Sequence, residues 1–187
     1  MIYFETERLS FRDWKEQDLD VFRIMNKDIR VMKYFTKTLT DEETDKFYHV
    51  IQEEFNNYGY GLYAVETKNN REFIGFIGFH WANFNSDFTP CVEIGWRLKY
   101  GAWGNGYATE GAKACLKYGF DILGFNKVYS FTSKINLPSE NVMKKIGLVK
   151  ASEFEHPNIN ENNPLRPHLL YYIDSISLHN MEPLIFS

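Results

Sequence analysis

Gly101, Gly104, Gly106 and Gly111 fall within eleven positions of one another, in GAWGNGYATEGAKACLKYGF, and a helix-forming run follows at once. Glycine lowers stability inside regular structure unless the backbone must turn sharply or let something approach it closely. A helix start carries unpaired N–H groups and the positive end of the helix dipole. Glycines ahead of such a start can shape those donors into a concave nest for an anion, most often phosphate. A tight strand-to-helix turn explains the same residues, and the loop by itself leaves both readings open. Residue types exclude two phosphate motifs. Tyr107 follows Gly106 where a nucleotide P-loop needs Lys-Ser/Thr. Ala108 falls one residue early for a dinucleotide fingerprint, and no acid stands near Phe125.

The elements that must position this loop are legible in outline. Arg8–Trp14 alternates as a first strand, and Lys15–Asn26 is helical with Leu19, Phe22 and Met25 on one face. Thr40–Gly59 is a stronger helix. Thr40 and Glu43 have capping-box spacing, and Phe47, Val50, Ile51 and Phe55 form its stripe. Residues 61–68 and 71–82 read as strands joined at Asn69-Asn70, a hairpin signal. Cys91–Leu98 is the next strand; Gly95 inside it marks a bulge or a close backbone approach. The helix after the glycines turns Ala108, Ala112, Cys115, Leu116, Gly119, Phe120 and Leu123 inward and Lys113, Lys117 and Asp121 outward. Lys127–Ser133 is a strand. Asn136 caps a short helix that Gly147 ends, and residues 148–156 and 168–174 close the fold as paired strands. The tail from Ser177 is apolar enough to dock.

No repeat or linker interrupts the 187 residues, so residues 1–187 are expected to form a single α+β domain. A formal net charge of −4 leaves no nucleic-acid footprint. No apolar run approaches the roughly 20 residues of a membrane span. The early charges exclude a signal peptide, which makes a cytoplasmic protein the expectation. Cys91 and Cys115 lack metal-ligand spacing and read as buried thiols, so no metal is expected. Aromatic residues reach 17%, enough for a thick core or an aromatic-lined cleft.

In order along the chain, TERLSFRDW, EIGWRL, WGNGYATEGAKACLKYGF, NLPSENVMKKIGLV and FEHPNINENNPLRPHLLYYI resemble the segments of the GNAT superfamily of N-acetyltransferases, most closely its RimJ/RimL-type branch. The resemblance covers nearly the whole chain. It implies a mixed, mostly antiparallel sheet whose central strands splay into a V, with helices on both faces. Acetyl-CoA, the co-substrate, would lie in the V.

By the same resemblance the strand Trp96, Arg97, Leu98 would meet the pantetheine arm, with backbone groups of Trp96 and Leu98 bonding its amides. Trp103, Gly104, Asn105, Gly106, Tyr107, Ala108 and Thr109 would hold the pyrophosphate, although Trp103 stands where the superfamily usually has Gln or Arg. Asn136 would bond the pantetheine arm, and Lys144 and Lys145 would face the 3′-phosphate.

Amide formation from a thioester needs a neutral amine, the carbonyl at attack distance and a stabilised thiolate. Glu93, alternating with Val92 and Ile94 beside the implied thioester, is the candidate base. Met143 occupies the position of the usual thiolate-donating Tyr, which leaves Ser139 as the donor. Trp14, Tyr60, His80, Trp81, Phe84 and His168 are candidates for the acceptor side. The acceptor would be a primary amine, either a small molecule or a protein N-terminus, and a homodimer is allowed. Two other functions stay open on the sequence: a non-catalytic acyl-CoA-binding sensor of the same fold, and a phosphate-binding domain unrelated to CoA.

Overall fold

Leu62, Tyr63, Ala64 and Val65 are all buried, so the strand that holds them must be covered on both faces. Its alternation divides the interior in two. Tyr63 and Val65 join one apolar cluster and Leu62 and Ala64 the other. The computed structural model describes residues 1–178 and explains that division.

The strands are β1 (Ile2–Glu5), β2 (Leu9–Arg12), β3 (Leu62–Thr67), β4 (Phe73–Ala82), β5 (Cys91–Leu98), β6 (Lys127–Ser133), β7 (Val149–Glu155) and β8 (Pro167–Asp174). The helices are α1 (Asp18–Lys27), α2 (Asp41–Tyr58), α3 (Tyr107–Asp121) and α4 (Leu137–Lys145), with a 3-10 turn at Tyr100–Ala102. One sheet has the order β1-β2-β3-β4-β5-β6-β8-β7. Every neighbouring pair is antiparallel except β5 and β6, which are parallel. Ala112, Cys115, Leu116 and Phe120 of α3, Met143 of α4 and Ile146 at its C-cap fill the cluster on one face. Phe22 and Met25 of α1 and Ile51 of α2 fill the other. The architecture is therefore the expected mixed sheet with helices on both faces.

Local signals set most boundaries. Thr40 Oγ1 accepts from the Glu43 N–H, and the Glu43 carboxylate accepts from the Thr40 N–H at 2.9 Å, the reciprocal pair the spacing predicts. Gly59, at φ +74°, ends that helix. The α2 stripe is narrower than expected: Val50, at its edge, is 43% exposed. The first strand also departs from expectation. Its ladder is completed by β1, and it stops at Arg12 because Trp14 turns into the α1–α2 core and donates its indole N–H to the Leu62 carbonyl at 2.7 Å.

Between β5 and β6 only Glu93 and Tyr129 stand in register. One residue further on, the Ser130 hydroxyl reaches the Ile94 carbonyl at 2.9 Å, a side chain where a ladder bond would be. Beyond that the strands part, which is the V. The predicted irregularity at Gly95 lies elsewhere. The β4–β5 ladder runs unbroken through Gly95, while the register shifts between β3 and β4 at Val65/Glu66, opposite Gly75. At Gly75, φ is +132° and a Cβ would sit 2.2 Å from the Arg97 carbonyl oxygen, so glycine is required there.

Candidate active site

The parted strands open a cleft of about 680 Å³ that reaches both faces of the sheet. Its first wall is backbone. The Lys99 N–H bonds the Ile74 carbonyl across the β4–β5 ladder, so by the two-residue alternation the odd-numbered residues of β5 serve β4. Ile94, Trp96 and Leu98 turn their N–H and C=O groups toward the gap. Ser130 takes the Ile94 carbonyl, and the Trp103 indole N–H takes that of Leu98 at 2.8 Å. Both polar groups of Trp96 and the Leu98 N–H remain facing the cleft. Arg97, expected with them, is out of phase: its backbone belongs to the β4 ladder and its side chain to the opposite face of the sheet.

The second wall is the glycine loop. Gly104 and Gly106 both adopt left-handed backbone, at φ +77° and +78°. Gly106 is the N-cap of α3 and supplies no side chain to the first turn, so the N–H groups of Tyr107, Ala108 and Thr109 are left for the cleft they line. Arg8, at the head of β2, braces this loop. Its guanidinium meets the Glu110 carboxylate at 2.6 Å and the Asn105 carbonyl at 2.9 Å, and lies over the Tyr107 ring. Thr6 Oγ1 also donates to Glu110, at 2.6 Å. Asn105 does not line the cleft; its amide donates to the Ala102 and Trp103 carbonyls.

The third wall is α4. The Asn136 side chain accepts from the Ser139 N–H at 3.3 Å and donates to Thr132 Oγ1 at 2.9 Å, so it caps the helix and ties it to β6. Asn136, Ser139 and Val142 line the cleft. Met143 does not. It is 1% exposed within the larger core, so the helix presents Val142, not Met143, one turn after Ser139. Lys144 pairs with Glu140 at 2.8 Å, and neither Lys144 nor Lys145 borders the cleft.

On the opposite face of the sheet the cleft ends at ionisable side chains. Glu93 and His80 are directly opposed in the β4–β5 ladder. Behind His80 stands Glu54 of α2, whose Oε1 lies 2.6 Å from His80 Nδ1 and also accepts the Trp81 N–H. Burial pushes the Glu93 carboxyl up to about 8; His80 works against that rise and Glu54 with it. Burial also works to lower His80, but its bond to Glu54 prevails and the net shift is upward. Glu54 was not foreseen. Its signal was an acid three residues after Ile51 on the apolar face of α2, and it is only 8% exposed. Among the described residues, no group of three or more His, Cys, Asp or Glu is placed to hold a metal ion.

His168, at the start of β8, and His156 complete this end with their rings 5.0 Å apart. His168 Nδ1 lies 2.9 Å from the Arg166 carbonyl and donates to it, which leaves Nε2 as an acceptor. Burial, reinforced by His168, lowers His156 to about 4. Three acceptor-side candidates lie elsewhere. Trp14 is in the α1–α2 core, and Tyr60 packs in the larger core against Phe79 and Phe125. Trp81 stacks near Tyr58, outside the cleft. Aromatic residues at strand ends are as useful to cores as to clefts, and the strand pattern does not distinguish the two. Phe84 packs on Phe131 and His156 at the rim.

Residues 8–149 match the family model described as the acetyltransferase (GNAT) domain. YkkB, an uncharacterized protein of Bacillus subtilis, is 31% identical over 144 residues, which is 76% of this chain and 83% of that one. YnaD, an uncharacterized N-acetyltransferase of the same organism, is 29% identical over 154 residues, covering 82% and 86%. Among solved structures, a GNAT-family acetyltransferase from Bacillus anthracis superposes with a TM-score of 0.75 at 27% identity, covering 93% of this chain and 98% of that one. The spermidine N-acetyltransferase of Vibrio cholerae, solved with CoA and spermine, superposes at 0.74 with 18% identity, covering 94% and 100%, a likeness of fold.

Proposed function

The chain belongs to the GNAT acetyltransferase family, and from that premise we propose that it moves the acetyl group of acetyl-CoA onto a primary amine by direct attack in a ternary complex. The observation that carries this reading is the continuity of the cleft. One opening runs from the α3 N-terminus, past the free backbone of Trp96, to Glu93 and His80. The uncapped N–H groups of Tyr107, Ala108 and Thr109 suit pyrophosphate oxygens, and the Trp96 and Leu98 backbone suits the pantetheine amides.

The chemistry then falls to side chains from both faces of the sheet, Glu93 on the α2 side and Ser139 of α4 on the α3 side. The amine nitrogen attacks the thioester carbonyl, Glu93 accepts the proton that the nitrogen sheds, and the C–S bond breaks. A carboxyl held near 8 is a base matched to an amine at neutral pH. Ser139, at the positive end of α4, donates to the departing sulfur. Attack without an acyl-enzyme agrees with the thiols. Burial raises Cys91 to about 12 and Cys115 well above its ordinary range, so neither supplies a thiolate nucleophile.

The test is thiol release from acetyl-CoA over peptides, polyamines, amino acids and amino sugars, with the product identified by mass. Initial rates against both substrates should give intersecting double-reciprocal lines. Parallel lines would replace direct attack with a covalent intermediate. Absence of turnover over the whole panel, with CoA still bound, would favour the sensor function instead.

A further inference from the structure

Two arginine side chains project into the fold, and they are treated differently. Arg12 is gripped by Asp18 at 2.7 and 2.9 Å and by Glu66 at 2.8 Å. Arg97 has no such acid: among the described residues no carboxylate lies within 4.0 Å of its nitrogens. Its Nη1 donates to the neutral amide oxygen of Asn26 at 2.7 Å, and its Nε–H is buried without a partner. The rings of Phe35, Phe47 and Phe76 stand 4.2, 5.5 and 5.4 Å from its Cζ. They hold the guanidinium in place by cation–π contact, which supplies no counter-charge. Burial lowers its pKa to about 10, so the group remains a cation at neutral pH. Fold-building charges inside proteins are paired, as Arg12 is.

Arg97 also lines the cleft, and it lies on the face of β5 that carries Glu93. Between the two is Gly95, where an added Cβ would meet only Glu93 Oε1, at 4.0 Å. The strand rise separates the Cα atoms of Glu93 and Arg97 by about 13 Å, a span that a short amine reaching toward both side chains can bridge. The glycine loop and the Trp96 backbone meet the cleft from elsewhere, so the missing anion is assigned to the acceptor, not to CoA.

We propose that Arg97 recognises an oxyanion, a carboxylate or phosphate, carried by the acceptor at the end away from the amine that Glu93 deprotonates. The acceptor is then an amino acid, a short peptide or an amino phosphate, not a polyamine. This assignment rests on the acetyl-transfer reading above.

The experiment compares matched amines at fixed acetyl-CoA: 4-aminobutanoate and 6-aminohexanoate, their amides, the corresponding aminoalkyl phosphates, and 1,6-diaminohexane. For wild type, kcat/KM for the anionic member of each pair should exceed that of the amide by about 10-fold or more, as a charge-assisted fork implies. Arg97→Gln should bring that ratio close to one, and Arg97→Lys should leave it between. A wild-type ratio near one, or a preference for the diamine, overturns the assignment. So does a fall in acetyl-CoA affinity in Arg97→Gln with the ratio unchanged, since that would give Arg97 to the cofactor. A calorimetric arm does not depend on turnover: N-acetyl-6-aminohexanoate should bind the CoA complex of wild type and its amide should not. If no amine releases thiol but this binding difference holds, the acetyl-transfer reading fails and the Arg97 assignment stands. If the acid and amide bind alike, Arg97 is not an oxyanion receptor. Should Arg97→Gln fail to fold, the wild-type ratio and the calorimetry decide.

Discussion

His80 stands directly across the β4–β5 ladder from Glu93, so a histidine and a carboxyl share one face of the sheet at the inner end of the cleft. Glu54, from α2, closes the line behind His80. Two of the three groups come from neighbouring strands and the third from a helix laid over them, so a proton leaving an amine at Glu93 has a second carrier beside it.

Glu93→Gln should lower the single-turnover rate by about 100-fold while acetyl-CoA affinity stays near wild type. Stability should move in a definite direction as well. The groups facing Glu93 are His80 from β4, Glu54 from α2, Tyr129 from β6 and Cys91 on its own strand. With the folded carboxyl raised from 4.5 to about 8, the folded protein holds this proton more tightly than the unfolded chain. The stability due to neutral Glu93 is full below pH 4.5 and is lost as pH rises through about 8. Thermal denaturation from pH 5 to 9 should therefore show wild type losing ground that Glu93→Gln keeps, on the order of 3 to 5 kcal/mol. Parallel curves for the two proteins would show that Glu93 is ionised throughout.

Glu54→Gln tests a positioning residue. The amide oxygen can still accept the Trp81 N–H, but it no longer offers His80 a carboxylate. His80 should then titrate lower, and the pH–rate profile should shift toward acid with kcat reduced several-fold. A drop in rate with an unmoved profile would mean that Glu54 only packs.

Arg8→Ala probes the glycine loop without the backbone strain that any substitution at Gly104 or Gly106 brings at their positive φ. Losing the brace on Asn105 and Glu110 should weaken CoA binding by about 3- to 30-fold, with a smaller change in the rate of the bound complex. Calorimetry with CoA measures it, and unchanged affinity would mean that the loop holds its shape unaided.

Ser139→Ala should slow the chemical step by about 10-fold with little effect on CoA affinity, if its hydroxyl meets the departing sulfur. Met143→Tyr is not expected to compensate. Its position is inside the core, so the larger ring should instead cost about 1–3 kcal/mol in a denaturant titration. A double variant that regains rate would show that α4 can rotate position 143 into the cleft.

Much of this arrangement could be read before any coordinates. Thr40 and Glu43 cap α2 because the capping box acts over three residues. Asn136 and Gly147 bound the short helix α4 for similarly local reasons. Gly104 and Gly106 take left-handed backbone at a helix start, a conformation that side chains disfavour, so their types alone announced the loop. The alternation of Val92, Glu93 and Ile94 separated the carboxyl from the apolar face. The ordered motifs then carried the family and its sheet.

What the tertiary structure decided is which distant surfaces meet. Arg8 reaches Glu110 across 102 positions, and Asn26 reaches Arg97 across 71. No local pattern encodes either pair. Alternation along β5 put Arg97 on the face opposite Trp96, but only the helices over that face determined that, among the described residues, it would meet the rings of Phe35, Phe47 and Phe76 and no acid. Glu54 became part of the site because α2 lies over His80. Trp14 and Tyr60 left it because burial depends on what covers a strand end, not on residue type. Propensity, capping and periodicity act within a turn or two of the chain. The charge environment of a side chain is set by segments that arrive from elsewhere, and these fixed both the raised carboxyl at Glu93 and the unpaired cation at Arg97.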